Sequence, residues 1–310
     1  MSFSAKSSVE GTSLYAGICD KEITCRYRGV AILMIMTQHC AGHLGTNIFT
    51  PMGGVGVAIF LFLSGFGLTE SFKMKGIGGF LQGRLKRVWL PFALFYVGMY
   101  MLYDNHDWQK LVLNVLSVRQ DDYWYVHYML RCYIVFWIAF KFAYKYRWWL
   151  LVAFSLYTFL GMEGSRIEQW LSFPFGVLMS ERKTWLMALT SRKVTWIMIV
   201  VGTIGITALA VKQMPIVREQ MGTWIYSLVE TFIKLPLGIF VMAVLWLLPS
   251  RWIIGNRMLT LCGLLSYELY LVHMQMLGLV NSCVSALAML TISIMIAYSL
   301  QKFLKLKRIM

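Results

Sequence analysis

Acidic residues are scarce in this chain. Its 310 residues include 14 Asp and Glu against 29 Lys and Arg, and charged residues of both signs make up only 14% of the sequence. Apolar residues make up 58%, and the mean hydropathy is +0.63. So little charge argues against a soluble protein of this length. The composition instead predicts a polytopic membrane protein built from α-helices.

The chain also lacks a signal-peptide pattern and paired cysteines. Residues 1–26 are polar and contain no apolar core followed by a small-residue cleavage site, so we expect the first span to be retained. The six cysteines are scattered, and we interpret them as packing residues. No metal site is predicted, because the five histidines form no ligand set with nearby Cys or carboxylates beyond the pair His39 and His43.

Apolar segments recur along the chain and predict about ten membrane spans. They lie at approximately residues 29–45, 53–71, 88–104, 124–142, 147–161, 167–180, 194–211, 223–248, 257–279 and 283–304. We therefore expect an all-α, polytopic transmembrane helical bundle. Its single membrane domain would occupy residues 27–304, between an N-terminal segment, 1–26, and a basic tail, 305–310. The apolar LVLNVL within residues 105–123 predicts a short helix in the outer interface.

The distribution of basic residues orients these spans. With ten spans and a cytoplasmic N-terminus, most of the 29 Lys and Arg fall in cytoplasmic segments, and the outer segments are acidic on balance. The positive-inside rule therefore predicts that both termini are cytoplasmic. This topology explains most of the formal net charge of +15. The rest of the charge would contribute to binding a polyanionic cytosolic substrate or anionic lipid. Nothing supports binding of nucleic acid.

Arg28 and His39 carry the strongest functional signal. Ten residues separate them in the segment RGVAILMIMTQH, and an ionisable side chain within a span is costly and usually functional. Eleven steps along an α-helix give roughly three turns and a rise of about 16 Å, so both side chains lie on one face. We expect Arg28 at the cytoplasmic boundary and His39 near the midplane. His43, one turn further, would orient His39, line the outer opening or lie at the interface.

Two other groups of polar residues stand out. Arg84, Lys86 and Arg87 form a cluster that either binds phosphate or is ordinary inner-loop charge. Glu230 and Lys234 are four residues apart in the order that favours an intrahelical ion pair.

Acceptor-binding candidates lie on the first, fourth and ninth spans. They are His43, Trp124, His127, Arg131, Tyr267, Tyr270 and His273. The groups on the fourth span offer stacking faces and donors suited to a sugar, or act as interfacial anchors. Those on the ninth span either form an acceptor channel or satisfy one another as packing polar groups.

Four motifs resemble those of the integral-membrane acyltransferase-3 family. They are the Arg-(ten residues)-His of the first span, FLFLSGF, an Arg-x-x-Arg before a proline, and LLSYELYLVH, and they follow one another between about residues 26 and 280. The resemblance also includes the ten-span plan. It implies an acyl-CoA donor, usually acetyl-CoA, and O-acylation of a carbohydrate, expected to be a cell-surface or exported glycan. It also favours the bacterial cytoplasmic membrane.

The resemblance assigns roles to individual residues. His39 corresponds to the essential histidine of the family and Arg28 to its partner arginine. The predicted donor-binding residues are Arg84 and Arg87, which match the Arg-x-x-Arg pair, together with Lys86 and Ser64. A neutral imidazole in a semi-apolar site is suited to take the proton of a sugar hydroxyl that attacks a thioester. Covalent transfer through His39 is the alternative mechanism.

Two further questions stay open at the level of sequence. Acyl transfer would occur across the membrane, through a histidine reached from both sides, or on the cytoplasmic face before export. A transporter or flippase for a glycan or lipid-linked intermediate would also explain buried polar residues, although the chain shows neither repeat symmetry nor paired broken helices. The expected partners are an acyl-CoA donor, a carbohydrate acceptor and the lipid bilayer, and the oligomeric state is not predicted.

Overall fold

The computed structural model describes residues 14–102, 107–118, 123–162, 164–248 and 257–306. Within these ranges every regular element is a helix, which confirms the all-α fold class. The α-helices are α1 (Leu14–Cys19), α2 (Lys21–His43), α3 (Thr50–Lys75), α4 (Phe80–Arg84), α5 (Leu90–Leu102), α6 (Trp108–Val115), α7 (Trp124–Lys141), α8 (Arg147–Gly161), α9 (Ser172–Glu181), α10 (Lys183–Met187), α11 (Ser191–Lys212), α12 (Pro215–Arg218), α13 (Trp224–Leu247), α14 (Arg257–Leu264), α15 (Ser266–Met276) and α16 (Cys283–Leu306). A π-helical turn covers Leu85–Trp89, and 3-10 turns cover Tyr144–Tyr146, Gly164–Gln169 and Leu277–Leu279.

Each apolar segment marked on the sequence is mainly helical over its described residues. The sixth segment begins as a 3-10 turn before α9, and the ninth is interrupted at Leu265, between α14 and α15. In the described part of the chain, four helices are long and apolar enough to cross a membrane by length and composition: α3, α11, α13 and, over Cys283–Phe303, α16. The count of ten spans and the boundaries of the membrane domain stay predictions.

Helix α2 begins before the predicted apolar span. Asp20 caps it, because its carboxylate accepts hydrogen bonds from the backbone N–H groups of Glu22 at 2.7 Å and Ile23 at 3.0 Å. One turn later Arg26 is buried and pairs with Glu22. The helix that carries Arg28 and His39 is therefore anchored by polar contacts at its N-terminal end.

Glycines allow the central helices to approach closely. A Cβ on Gly65 of α3 would lie 2.2 Å from the carbonyl oxygen of Phe173, and one on Gly176 of α9 would lie 2.1 Å from that of Phe62. A Cβ on Gly56 would likewise lie 2.5 Å from a carbonyl oxygen of α2. Gly56 and Gly65 of the second span thus mark close helix crossings. Helix α3 packs between α2, α9 and α13.

Helix α2 also contacts α14 and α15, while α11 packs along α13. The six cysteines all lie in the described residues, and none forms a disulfide bond. Cys25, Cys132 and Cys262 are buried, in line with a packing role, whereas Cys19 and Cys283 are exposed.

The segment between the third and fourth predicted spans contains the expected short helix, α6. Asp107 caps α6 by accepting from the N–H of Lys110 at 2.9 Å. The indole of Trp89 donates to the carbonyl oxygen of Val115 at 2.9 Å, which ties the end of α6 to the π-helical turn.

Candidate active site

His39 and His273 meet where α2 contacts α15. Nδ1 of His39 lies 3.1 Å from Nε2 of His273. The two rings stack with their centroids 5.2 Å apart and an interplanar angle of 21°. His273 is completely buried, and its Nδ1 lies 2.9 Å from the carbonyl oxygen of Leu269 one turn earlier. The two imidazoles thus form a hydrogen-bonded chain that runs from His39 through His273 to the backbone carbonyl of Leu269.

The backbone carbonyl determines which nitrogens of this chain carry hydrogen. A carbonyl oxygen only accepts, so Nδ1 of His273 is the donor to Leu269. Nε2 of the neutral His273 ring is then an acceptor, and Nδ1 of His39 donates to it. A neutral His39 consequently has its lone pair on Nε2. The sequence motif LLSYELYLVH supplies both the second histidine and the carbonyl that orients it.

His39 lines a cavity of about 280 Å³, called here the His39 cavity. The cavity lies among α2, α3, the start of α7, α11, α13, α15 and the 3-10 turn Gly164–Gln169. Its polar and aromatic lining consists of Gln38, His39, Thr50, Trp124, Ser165, Glu168, Gln169, Lys212, Tyr226, Glu230, Lys234 and Tyr270.

Four ionic side chains of this cavity form one network. Lys234 lies 3.2 Å from Glu230 on the same helix, which confirms the predicted intrahelical ion pair. The network extends further than predicted, because Lys234 also pairs with Glu168 and Glu230 pairs with Lys212. Their side chains are between 5% and 17% exposed. Gln169, next to Glu168, links the 3-10 turn to α3 by donating to the carbonyl oxygen of Gly54 at 2.9 Å.

Arg28 lines a second cavity, of about 770 Å³, called here the Arg28 cavity. It lies near the opposite end of α2, between the first turns of that helix and the last turns of α3. Four of its lining residues are basic, Lys21, Arg28, Lys73 and Lys183, and one is acidic, Glu70. Such an excess of positive charge suits an anionic ligand.

The Arg-x-x-Arg segment lies beside Arg28 but does not line the Arg28 cavity. Arg84 is half-buried, with its guanidinium 5.4 Å from the ring centroid of Tyr133. Its charge interacts with those of Arg28 and Arg87. Lys86 and Arg87 are exposed. Arg84 of the predicted donor site is thus within electrostatic range of both Arg87 and Arg28.

Trp124 and Tyr270 line the His39 cavity. His127 and Arg131, from the same set of acceptor candidates, instead contact Ser117: Nδ1 of His127 lies 2.9 Å from its hydroxyl, and Arg131 donates to its carbonyl oxygen at 3.4 Å. Ser117 has a φ of 61°, a strained conformation for a residue other than glycine. These contacts give His127 and Arg131 a structural task, and acceptor binding by them stays a prediction.

Three other candidates lie outside both cavities. His43 is exposed, and Ser64 is half-buried on α3. The hydroxyl of Tyr267 donates to the carbonyl oxygen of Val88 at 2.6 Å. Substrate contacts by these three residues stay predictions.

Several lining residues carry no distinguishing signal in the sequence. Glu168 and Lys212 had the pattern of outer-loop charges, and Lys73 and Lys183 that of inner-loop charges, yet all four line a cavity. Only tertiary contacts distinguish them from solvated neighbours. Among the described residues, no group of three or more His, Cys, Asp and Glu is placed to hold a metal ion.

Comparison with known proteins identifies the family. A family model described as an acyltransferase domain, Acyl_transf_3, matches residues 27–300. No similar protein is found among curated proteins or solved structures. The match includes Arg28, the two histidines and all the residues that line the His39 cavity. The chain therefore belongs to the acyltransferase-3 family and is an integral membrane acyltransferase.

Proposed function

We propose that this protein transfers an acyl group, acetyl in the first instance, from cytosolic acyl-CoA to a hydroxyl of a carbohydrate. The acceptor would be a cell-surface or exported glycan. The protein itself would lie in the bacterial cytoplasmic membrane. One observation carries the proposal. The chain from His39 through His273 to the carbonyl of Leu269 gives His39 a defined tautomer, with the lone pair of the neutral ring on Nε2.

In the proposed reaction His39 acts as a general base. Nε2 takes the proton of the acceptor hydroxyl while the hydroxyl oxygen bonds to the thioester carbonyl carbon. The tetrahedral intermediate then breaks its carbon–sulfur bond, and the CoA thiolate takes the proton back from Nε2. The products are the acyl ester and free CoA, and His39 returns to its neutral state. His273 stabilises the imidazolium by accepting the hydrogen bond from Nδ1 throughout.

The Arg28 cavity supports a phosphate-bearing donor. Arginine and lysine bind phosphate through charge-assisted hydrogen bonds, and basic residues dominate this cavity. Arg84, whose charge interacts with those of Arg87 and Arg28, adds to the positive field near Arg28. The thioester would travel about 16 Å along the face of α2 that carries Arg28 and His39.

On that face Ile32 lies between the two cavities, and Ile35 lines the inner side of the His39 cavity. Their exposures are 0% and 2%, so the two isoleucines close the path in the described arrangement. Passage of the acyl chain therefore requires their side chains to move. This arrangement supports transfer across the membrane rather than acylation on the cytoplasmic face, because donor and acceptor would enter from opposite ends of α2.

The decisive experiment uses the purified full-length protein in proteoliposomes supplied with acetyl-CoA and the glycan of a deletion strain. We expect free CoA release coupled to ester-linked acetyl on the glycan. His39→Gln should abolish both, whereas Thr37→Ala, at a neighbouring exposed position of α2, should retain them. Full activity of His39→Gln would remove His39 from catalysis. A protein that moves the glycan without releasing CoA would be a transporter or flippase instead.

A further inference from the structure

The charge network of the His39 cavity is more than the ion pair expected from the sequence. Lys212, Glu230, Lys234 and Glu168 alternate in sign along a continuous chain that crosses from α11 through α13 to the 3-10 turn. Burying charges carries a desolvation penalty that ion pairing often fails to recover, so such a network is weak evidence for stability alone. Ionisable groups kept inside a membrane protein more often serve a substrate.

The composition of this network restricts the ligand. Two lysines and two glutamates line the cavity together with His39, so with a neutral histidine their formal charges balance. The Arg28 cavity differs, because its ionic lining is four basic residues against one acidic residue. An anionic ligand would therefore find excess positive charge in the Arg28 cavity but not in the His39 cavity.

The same side chains retain capacity for hydrogen bonding. An ammonium group has three donors, and a carboxylate offers about four lone-pair positions, more than the single or double ion pairs of the network use. Sugar hydroxyls both donate and accept, so an alternation of ammonium and carboxylate groups matches neighbouring hydroxyls on a ring. Trp124, Tyr226 and Tyr270 add aromatic surface to the same cavity.

We propose that the His39 cavity is a subsite for one uncharged sugar ring of the acceptor, and that the balanced network selects against acidic sugars. This inference rests on the proposed function and specifies its acceptor. A uronic acid carboxylate would lose its hydration and meet no unbalanced positive charge, which is costly in a semi-buried site. The volume of about 280 Å³ lies near the lower limit of roughly 300 Å³ for small-molecule sites, which fits one ring better than a longer segment.

Paired glycosides test the inference. The methyl glycosides of glucose, galactose and mannose each have a uronic acid counterpart that differs only in a carboxylate at C6. Binding to the full-length protein in detergent would be measured by saturation-transfer NMR without acetyl-CoA. We expect at least one neutral glycoside to bind, and its uronate to bind at least tenfold more weakly. Equal or tighter binding of the uronates, or no binding of any neutral glycoside, would overturn the proposal.

Charge-changing variants sharpen the test. Glu168→Gln leaves Lys234 paired with Glu230 and gives the lining an excess positive charge. It should shift the preference toward the uronate by about tenfold or more. Lys212→Gln gives the lining an excess negative charge and should shift the preference further toward the neutral glycoside. Glu219→Gln, at an exposed position that does not line the cavity, is the control.

The ratio to compare is the affinity for a neutral glycoside divided by that for its uronate. The same ratio in Glu168→Gln, Lys212→Gln and wild type would contradict the proposal. If either variant fails to elute as a folded protein, the wild-type ratio still decides. CoA release is measured separately, so the two hypotheses fail in different ways. Neutral glycosides that bind without CoA release would refute the acyl transfer, whereas CoA release with a uronate preference would refute only the subsite.

Discussion

The hydroxyl of Tyr267 donates a 2.6 Å hydrogen bond to the backbone carbonyl of Val88. This bond ties α15, which carries His273, to the π-helical turn Leu85–Trp89, which follows Arg84. The segment with the predicted donor-binding arginines is therefore fixed directly to the helix that carries His273, the partner of the proposed general base His39.

Tyr267→Phe should weaken donor binding more than it slows the chemical step. Loss of the hydroxyl leaves the carbonyl of Val88 without this donor, at a cost of about 1–3 kcal/mol, and loosens the turn that holds the arginines. We expect the KM for acetyl-CoA to rise about fivefold or more, with kcat changed less. Tyr298→Phe, at an exposed position of α16, is the matched control. A selective fall in kcat would mean that Tyr267 acts on the reaction itself.

His273 is predicted to be a positioning residue for His39. His273→Leu removes the acceptor for Nδ1 of His39 and should lower kcat by about 10²-fold, within the range of general acid–base effects. The KM for acetyl-CoA should change little, because the Arg28 cavity lies near the other end of α2. His273→Gln can place a carbonyl oxygen near the position of Nε2 and should recover part of the rate. The pH profile of kcat should also shift in the leucine variant, a change that a packing defect alone would not produce.

Arg28→Met should raise the KM for acetyl-CoA by about tenfold to a hundredfold, because a hydrogen bond to a charged group contributes about 1.5–3 kcal/mol. Increasing salt should weaken donor binding in the wild type and have less effect in the variant. Lys145→Met, an exposed residue outside the cavity, should behave as wild type. An unchanged KM in Arg28→Met would place the phosphates elsewhere.

The sequence predicts the helical architecture well, because hydropathy and length alone identify apolar segments. It also predicts that Arg28 and His39 share one face, since both lie on one continuous helix. The Glu230–Lys234 pair is predictable for the same reason, as it depends only on local spacing.

Relationships between distant segments are not predictable in this way. His273 lies 234 residues after His39, and the local sequence around either residue does not indicate that the two rings stack. Glu168 and Lys212 are similarly indistinguishable from loop charges until the 3-10 turn and the end of α11 fold against α13. Chain topology, rather than residue type, turns these groups into one site.

Gly176→Ala should destabilise the bundle at the crossing of α3 and α9. The added methyl group would lie 2.1 Å from the carbonyl oxygen of Phe62, where backbone must move to make room. Overpacking of this kind costs about 1–3 kcal/mol, so the apparent melting temperature in detergent should fall. Gly98→Ala is the control, since its added Cβ has no heavy atom within 4 Å. Equal melting temperatures would show that the two helices separate readily.

The two cavities should open to opposite sides of the membrane. The positive-inside rule places the last turn of α3, with Lys73 and Lys75, and the loop that follows it in the cytoplasm, and the loop after α11 outside. In a variant without native cysteines, Gly78→Cys should therefore react with a membrane-impermeant maleimide only after the cells are opened. Gln213→Cys should react in intact cells, because both positions are exposed and only their predicted sides differ. Labelling of both from outside would refute this topology, and with it entry of the donor and the acceptor from opposite sides of the membrane.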